Sequence, residues 1–107
     1  MVTASEFSTI FQKENIMGSY NPPDLIRIES KEFLRTIQIL RTSGLSICGM
    51  EGFHRLGESI VPDLDMILDL SGEGARSIRA QAATLDVAEK VFSQWENCEF
   101  VELVVCF

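Results

Sequence analysis

The run Glu51-Gly52-Phe53-His54-Arg55-Leu56-Gly57-Glu58-Ser59-Ile60-Val61-Pro62-Asp63-Leu64-Asp65-Met66-Ile67-Leu68-Asp69-Leu70-Ser71-Gly72-Glu73 decides how the rest of the chain is read. From Leu64 to Leu70 it alternates. Leu64, Met66, Leu68 and Leu70 fall on one side of an extended chain, with Asp65, Ile67 and Asp69 on the other. Successive strand side chains point to opposite faces, so the alternation predicts a half-buried strand over 64–70. Gly57 to Pro62 supplies a reversal before it. Upstream, Leu45-Ser46-Ile47-Cys48-Gly49-Met50 is apolar on balance and reads as a buried strand that Glu51 closes. Strands joined this closely favour an antiparallel pair. The run also carries six acids (Glu51, Glu58, Asp63, Asp65, Asp69 and Glu73) against one base, Arg55. Six acids less one base leave -5 of the chain's formal net charge of -7 in this stretch.

Downstream, Ser71-Gly72-Glu73-Gly74 breaks the strand. Ile78, Ala82, Leu85, Ala88 and Phe92 then recur in steps of four and three, which predicts a helix over about 75–95. Phe92 and Trp95 belong to its core-facing side, and Asn97 ends it. In the last segment, 99–107, Val101, Leu103, Val105 and Phe107 share one face, and Phe100, Glu102, Val104 and Cys106 the other. Both faces are mostly apolar, so this strand is central or covered on both sides. Upstream of the opening run, Ser30 is an N-cap candidate for an amphipathic helix over about 31–43, with Phe33, Leu34, Ile37 and Leu40 at helical spacing. Lys31, Arg35 and Arg41 form its solvated side, and Gly44 is its left-handed stop. Thr3-Ala4-Ser5-Glu6 reads as a capping box for a first helix over about 4–14, followed by a loop from Asn15 to Pro23. The order α-α-β-β-α-β predicts an α+β fold, with helices packed on a small, mostly antiparallel sheet.

A chain of 107 residues is one domain, 1–107, and 46% hydrophobic content suffices for a core. No apolar run approaches the roughly 18–20 residues of a membrane span. The N-terminus lacks the basic start and apolar stretch of a signal peptide, so the expected address is the cytoplasm. The three cysteines, Cys48, Cys98 and Cys106, form no Cys-x-x-Cys pair and read as reduced, structural thiols. The acidic balance argues against nucleic acid, whose binding rests on Lys and Arg.

No catalytic set stands out. His54 is the lone histidine, and Cys48 or Glu51 near it match no nucleophile motif. Asp63-x-Asp65-x-x-x-Asp69 resembles part of an oxygen-ligand metal site. Counted from Asp63, however, Leu68 and Gly74 stand where a calcium loop needs its Gly and Glu. The glycines at 44, 49 and 52 lack the Lys-Ser/Thr of a phosphate loop. The expectation is therefore a protein that is not an enzyme and needs neither cofactor nor metal. The acids are either a solubilising surface or a docking surface for a cationic protein, with Phe53 and His54 beside them as anchors.

The passage from Phe33 through Gly52 is an amphipathic helix followed by Gly44-Leu45-x-Ile47-x-Gly49-Met50-Glu51-Gly52 and an aromatic. It resembles bacterial immunity proteins that neutralise RNA-cleaving colicins and the toxin tips of contact-dependent inhibition systems. The resemblance implies a binder that plugs the active site of a basic toxin, often a nuclease, with Glu51, Phe53, His54 and neighbouring acids facing it. The partner-binding set expected is Glu51, Phe53, His54, Glu58, Asp63, Asp65, Asp69 and Glu73. A second reading is a homodimeric ligand-binding or regulatory domain, because the apolar second face of the last strand needs a cover.

Overall fold

Leu25-Ile26-Arg27-Ile28-Glu29 buries Ile26 and Ile28 and leaves Arg27 between them half-exposed, the alternation of a sheet strand. It is one of two strands absent from the expected order. In the computed structural model, which describes residues 4–13, 18–20, 25–70 and 78–106, the elements are α1 (Ala4–Lys13), β1 (Gly18–Tyr20), β2 (Leu25–Glu29), a 3-10 turn (Ser30–Glu32), α2 (Phe33–Thr42), β3 (Ser46–Leu56), β4 (Ser59–Asp69), α3 (Ile78–Phe92) and β5 (Phe100–Cys106). The α+β class holds. The order is corrected by β1, which falls inside the expected loop, and by β2.

The sheet runs β1-β2-β5-β3-β4, with every pairing antiparallel. The last strand is central, as its two apolar faces require. Val101, Leu103 and Val105 join Ile26, Ile28, Ile47 and Met50 in one core with Phe7 of α1, Phe33, Ile37 and Leu40 of α2, and Leu85 and Ala88 of α3. The helices therefore cover one face of the sheet. Phe92 stacks on Phe33 with ring centroids 3.9 Å apart, and Trp95 packs edge-on against Phe92. Arg41 ties α2 to α3 through Asp86 and Glu89, each at 2.8 Å.

Ser30 is not a side-chain cap. It opens the 3-10 turn, and α2 starts without a capping hydrogen bond. Gly44 has the expected left-handed conformation, φ +70°. The capping box at Thr3 and the break at Ser71 to Gly74 lie outside the described residues.

The two strands of the opening run are each 11 residues long, and the reversal between them is only Gly57-Glu58, because Leu56 pairs with Ser59. Gly57 takes φ +63°, the glycine-first pattern of a two-residue hairpin turn. Glu51 thus lies in the middle of β3, and Asp63 lies beyond the turn. β4 is not regular either. Phe53 pairs with Pro62 and Glu51 with Ile67, so Asp63 to Met66 stand opposite Gly52 alone. This bulge carries Leu64, expected inside, to 81% exposure, while Met66 and Leu70 stay buried.

The cysteine reading is also corrected. Cys48 is an extra residue of β3, between the Ile47–Val105 and Gly49–Val104 pairs, and it forms a disulfide with Cys106. Cys98 is a free thiol.

Candidate functional site

The sheet face turned away from the helices is built by alternation. Its middle row, read across the register, is Arg27 of β2, Glu102 of β5, Glu51 of β3 and Ile67 of β4. The next row is Leu25, Val104, Gly49 and Asp69. The row on the other side is Glu29, Phe100, Phe53 and Pro62. An open groove of about 360 Å³ runs over the first two rows, with Cys48 at one end, Val104, Gly49 and Ile67 as apolar floor, and Glu51, Asp69 and Glu102 as its acids.

Charge in the middle row is unbalanced. Arg27 donates from Nε to Glu102 at 2.9 Å and also pairs with it through Nη2. Glu51 stands directly across from Glu102, and like charges in directly opposed positions are unfavourable. Arg27 answers one of the two carboxylates, and no described cation pairs with Glu51. Ile67, its neighbour on the other side, is 53% exposed.

Phe53 does not serve as an exposed anchor. It is 7% exposed, with the Arg27 guanidinium 4.9 Å from its ring centroid. It supports the row beside the groove. Arg55 likewise lies 5.2 Å from the Phe100 ring and donates to Glu99 at 3.2 Å.

His54 and Asp63 form a separate group at the helix-side face. His54 Nε2 lies 2.6 Å from Asp63 Oδ2, and Nδ1 lies 2.7 Å from the Asn97 carbonyl. The other Asp63 oxygen accepts from the Asp65 backbone N–H at 2.8 Å, closing the bulge on itself. The Asp63 carboxylate, then the Asn97 carbonyl, raise the His54 pKa above its ordinary value. The Asp65 N–H, then His54, hold the Asp63 carboxyl below its own.

Of the predicted site, Glu51 and Asp69 therefore meet in the groove, while His54, Asp63 and Asp65 meet at the bulge. Glu58 stands alone on the hairpin turn, and Glu73 lies outside the described residues. Arg27 and Glu102 were missed. Arg27 sits on a strand whose short period-two signal was the available clue, and Glu102 reaches the site through pairing between distant segments. Among the described residues no group of three or more His, Cys, Asp or Glu is placed to hold a metal ion, and no helix is long and apolar enough to cross a membrane. The chain matches no protein-family model, no curated protein and no solved structure.

Proposed function

We propose that this protein is a binder of a basic protein, docked on the open sheet face and the β4 side, and that it acts as an immunity protein for a toxin. The observation that carries the reading is the middle row of the open face. Glu51 opposes Glu102 and, among the described residues, has no cation of its own, beside an exposed Ile67. A Lys or Arg side chain laid in the groove would place its alkyl stem on Val104 and Ile67. Its charge would sit between Glu51 and Asp69. Long cationic side chains bind in this way, stem on apolar surface and head on carboxylate. Asp65, Glu58 and the exposed Leu64 widen the surface along β4. A toxin that grips phosphates with Lys and Arg offers the complementary field, and such complementarity acts chiefly on the association rate. In this reading the protein is not an enzyme, and it meets its partner in the cytoplasm.

The test is co-expression with the toxin domain encoded beside the gene. Survival is expected, and continued death overturns the reading. Glu51→Lys with Asp69→Lys should slow association about tenfold or more at low salt and flatten its salt dependence. That no described helix packs on this face also favours a second reading, a homodimer through Leu25, Val104 and Ile67. Sedimentation at micromolar concentration separates the two, because a strict monomer excludes the dimer. The formal charge of -7 on each copy weighs against self-association.

A further inference from the structure

Both ring nitrogens of His54 face acceptors. Asp63 Oδ2 is a carboxylate oxygen and Asn97 O is a carbonyl, at 2.6 and 2.7 Å. Neither acceptor can donate while Asp63 is ionised, so both short contacts need a proton on the histidine side. The ring that fits here is the imidazolium. Neutral imidazole has one N–H and can keep only one of the two bonds.

What the two bonds join is unusual. Asp63 opens the four-residue bulge of β4 and holds it through the Asp65 N–H. Asn97 lies in the connection from α3 to β5, in the left-handed conformation at φ +59°, which few non-glycine residues adopt. That connection is otherwise tied to the sheet by the Glu99 N–H to the Phe53 carbonyl at 2.9 Å and by the Ser30 N–H to the Glu99 carbonyl at 2.8 Å. His54 is thus a cross-brace between two irregular segments that belong to different parts of the chain.

We propose that His54 is a proton-operated brace. When charged, it locks the β4 bulge, with Leu64 and Asp65 on it, to the α3–β5 connection. When it loses a proton, a ring lone pair faces an oxygen lone pair, one bond opens and the two segments uncouple. The charged groups around the ring are Asp63 from β4, Glu99 from the connection and Arg55 beside it on β3, where Arg55 is engaged by Glu99. Both carboxylates favour the imidazolium. The proposal does not depend on the docking surface, because it concerns the fold of 63–66 whether or not a partner binds there.

The chain has a single histidine, so its imidazole signals identify themselves in a nuclear magnetic resonance titration of the unaltered protein. The expected result is a doubly protonated ring near pH 6 and a midpoint above the ordinary 6.5. The Leu64, Asp65 and Asn97 amides should shift with that same midpoint. Asp63→Asn keeps an oxygen for the Asp65 N–H but removes the charge, and it should move the midpoint down toward 6.5. Amides of 64 and 65 that ignore the His54 titration overturn the proposal. So does a midpoint that Asp63→Asn leaves in place.

Discussion

At the scale of single residues, two positions explain the break in β4. Gly52 stands alone opposite Asp63 to Met66. A Cβ on Gly52 would lie 2.8 Å from Met66 Cβ, 2.9 Å from Met66 Sδ and 3.2 Å from Cys98 Sγ. The sulfur end of Met66 can swing away, but its Cβ is fixed to the bulge. Gly52→Ala should therefore destabilise by about 1–3 kcal/mol, the usual cost of overpacking, read as a lower urea midpoint. His54 is the other position. Its folded pKa is raised above the unfolded value of about 6.5, so its contribution to stability is complete below that pH. The contribution is lost as pH rises through the folded value. For Asp63, whose folded pKa is lowered, the contribution is present above the unfolded value and lost as pH falls through the folded one. Urea midpoints should thus decline as pH rises from about 6.5 through the folded value, and His54→Gln should remove that decline while leaving the acid side largely in place. An unchanged slope in His54→Gln would show that some other group sets it. The spacing of Gly44, Gly49 and Gly52 reads as a helix stop followed by close strand packing, but it does not say what presses on Gly52, and His54 meets Asn97 only after residues 43 positions apart are brought together.

Among the elements, what could be read was what repeats within a few residues. The steps of α3, the i, i+4 spacing of α2 and the two apolar faces of β5 each state their environment locally, and each was found. β2 repeats too, but for only five residues, and no element is read between the loop that ends at Pro23 and Ser30. The hairpin was legible as a hairpin, yet its register was not. A regular alternation put Leu64 inside, and the bulge turns it out. Bulges depend on what the partner strand tolerates, here a glycine, and the partner is not visible from one strand's period. β2 offers the corresponding test. Ile28 is fully buried between its pairing partners Val101 and Gly18 and faces the core. If β2 is as integral to the sheet as its pairing indicates, Ile28→Ala should cost about 2–5 kcal/mol by urea unfolding. A loop residue at the same position would cost a few tenths.

At the scale of the whole molecule, the helices cover one face of the sheet, and the other carries the groove with a disulfide at its end. The sequence offered three cysteines and no means of pairing them. Pairing needed the order β5-β3 and the extra residue at Cys48, both products of contact between distant segments. Cys48 and Cys106 are separated by 58 positions, and their Cα atoms lie 5.9 Å apart. The segment they close contains β3 beyond the bulge, all of β4, α3 and β5, which is more than half of the chain. A crosslink acts largely by restricting the unfolded chain, and a loop of this length predicts a contribution of about 4 kcal/mol. Against a typical stability of about 5–15 kcal/mol this is a large share. It depends on surroundings that keep thiols oxidised. Under denaturing, non-reducing conditions the protein should therefore show one reactive thiol, Cys98, and after reduction all three. Reduced wild type and the Cys48→Ser, Cys106→Ser double variant should unfold at the same lowered urea midpoint, with a steeper transition than the oxidised protein because their unfolded chain expands further. If three thiols react before reduction, the crosslink is absent in solution. The sheet must then be held without it, by its strand pairing and the core on the helix side, and reductant should leave the midpoint where it was.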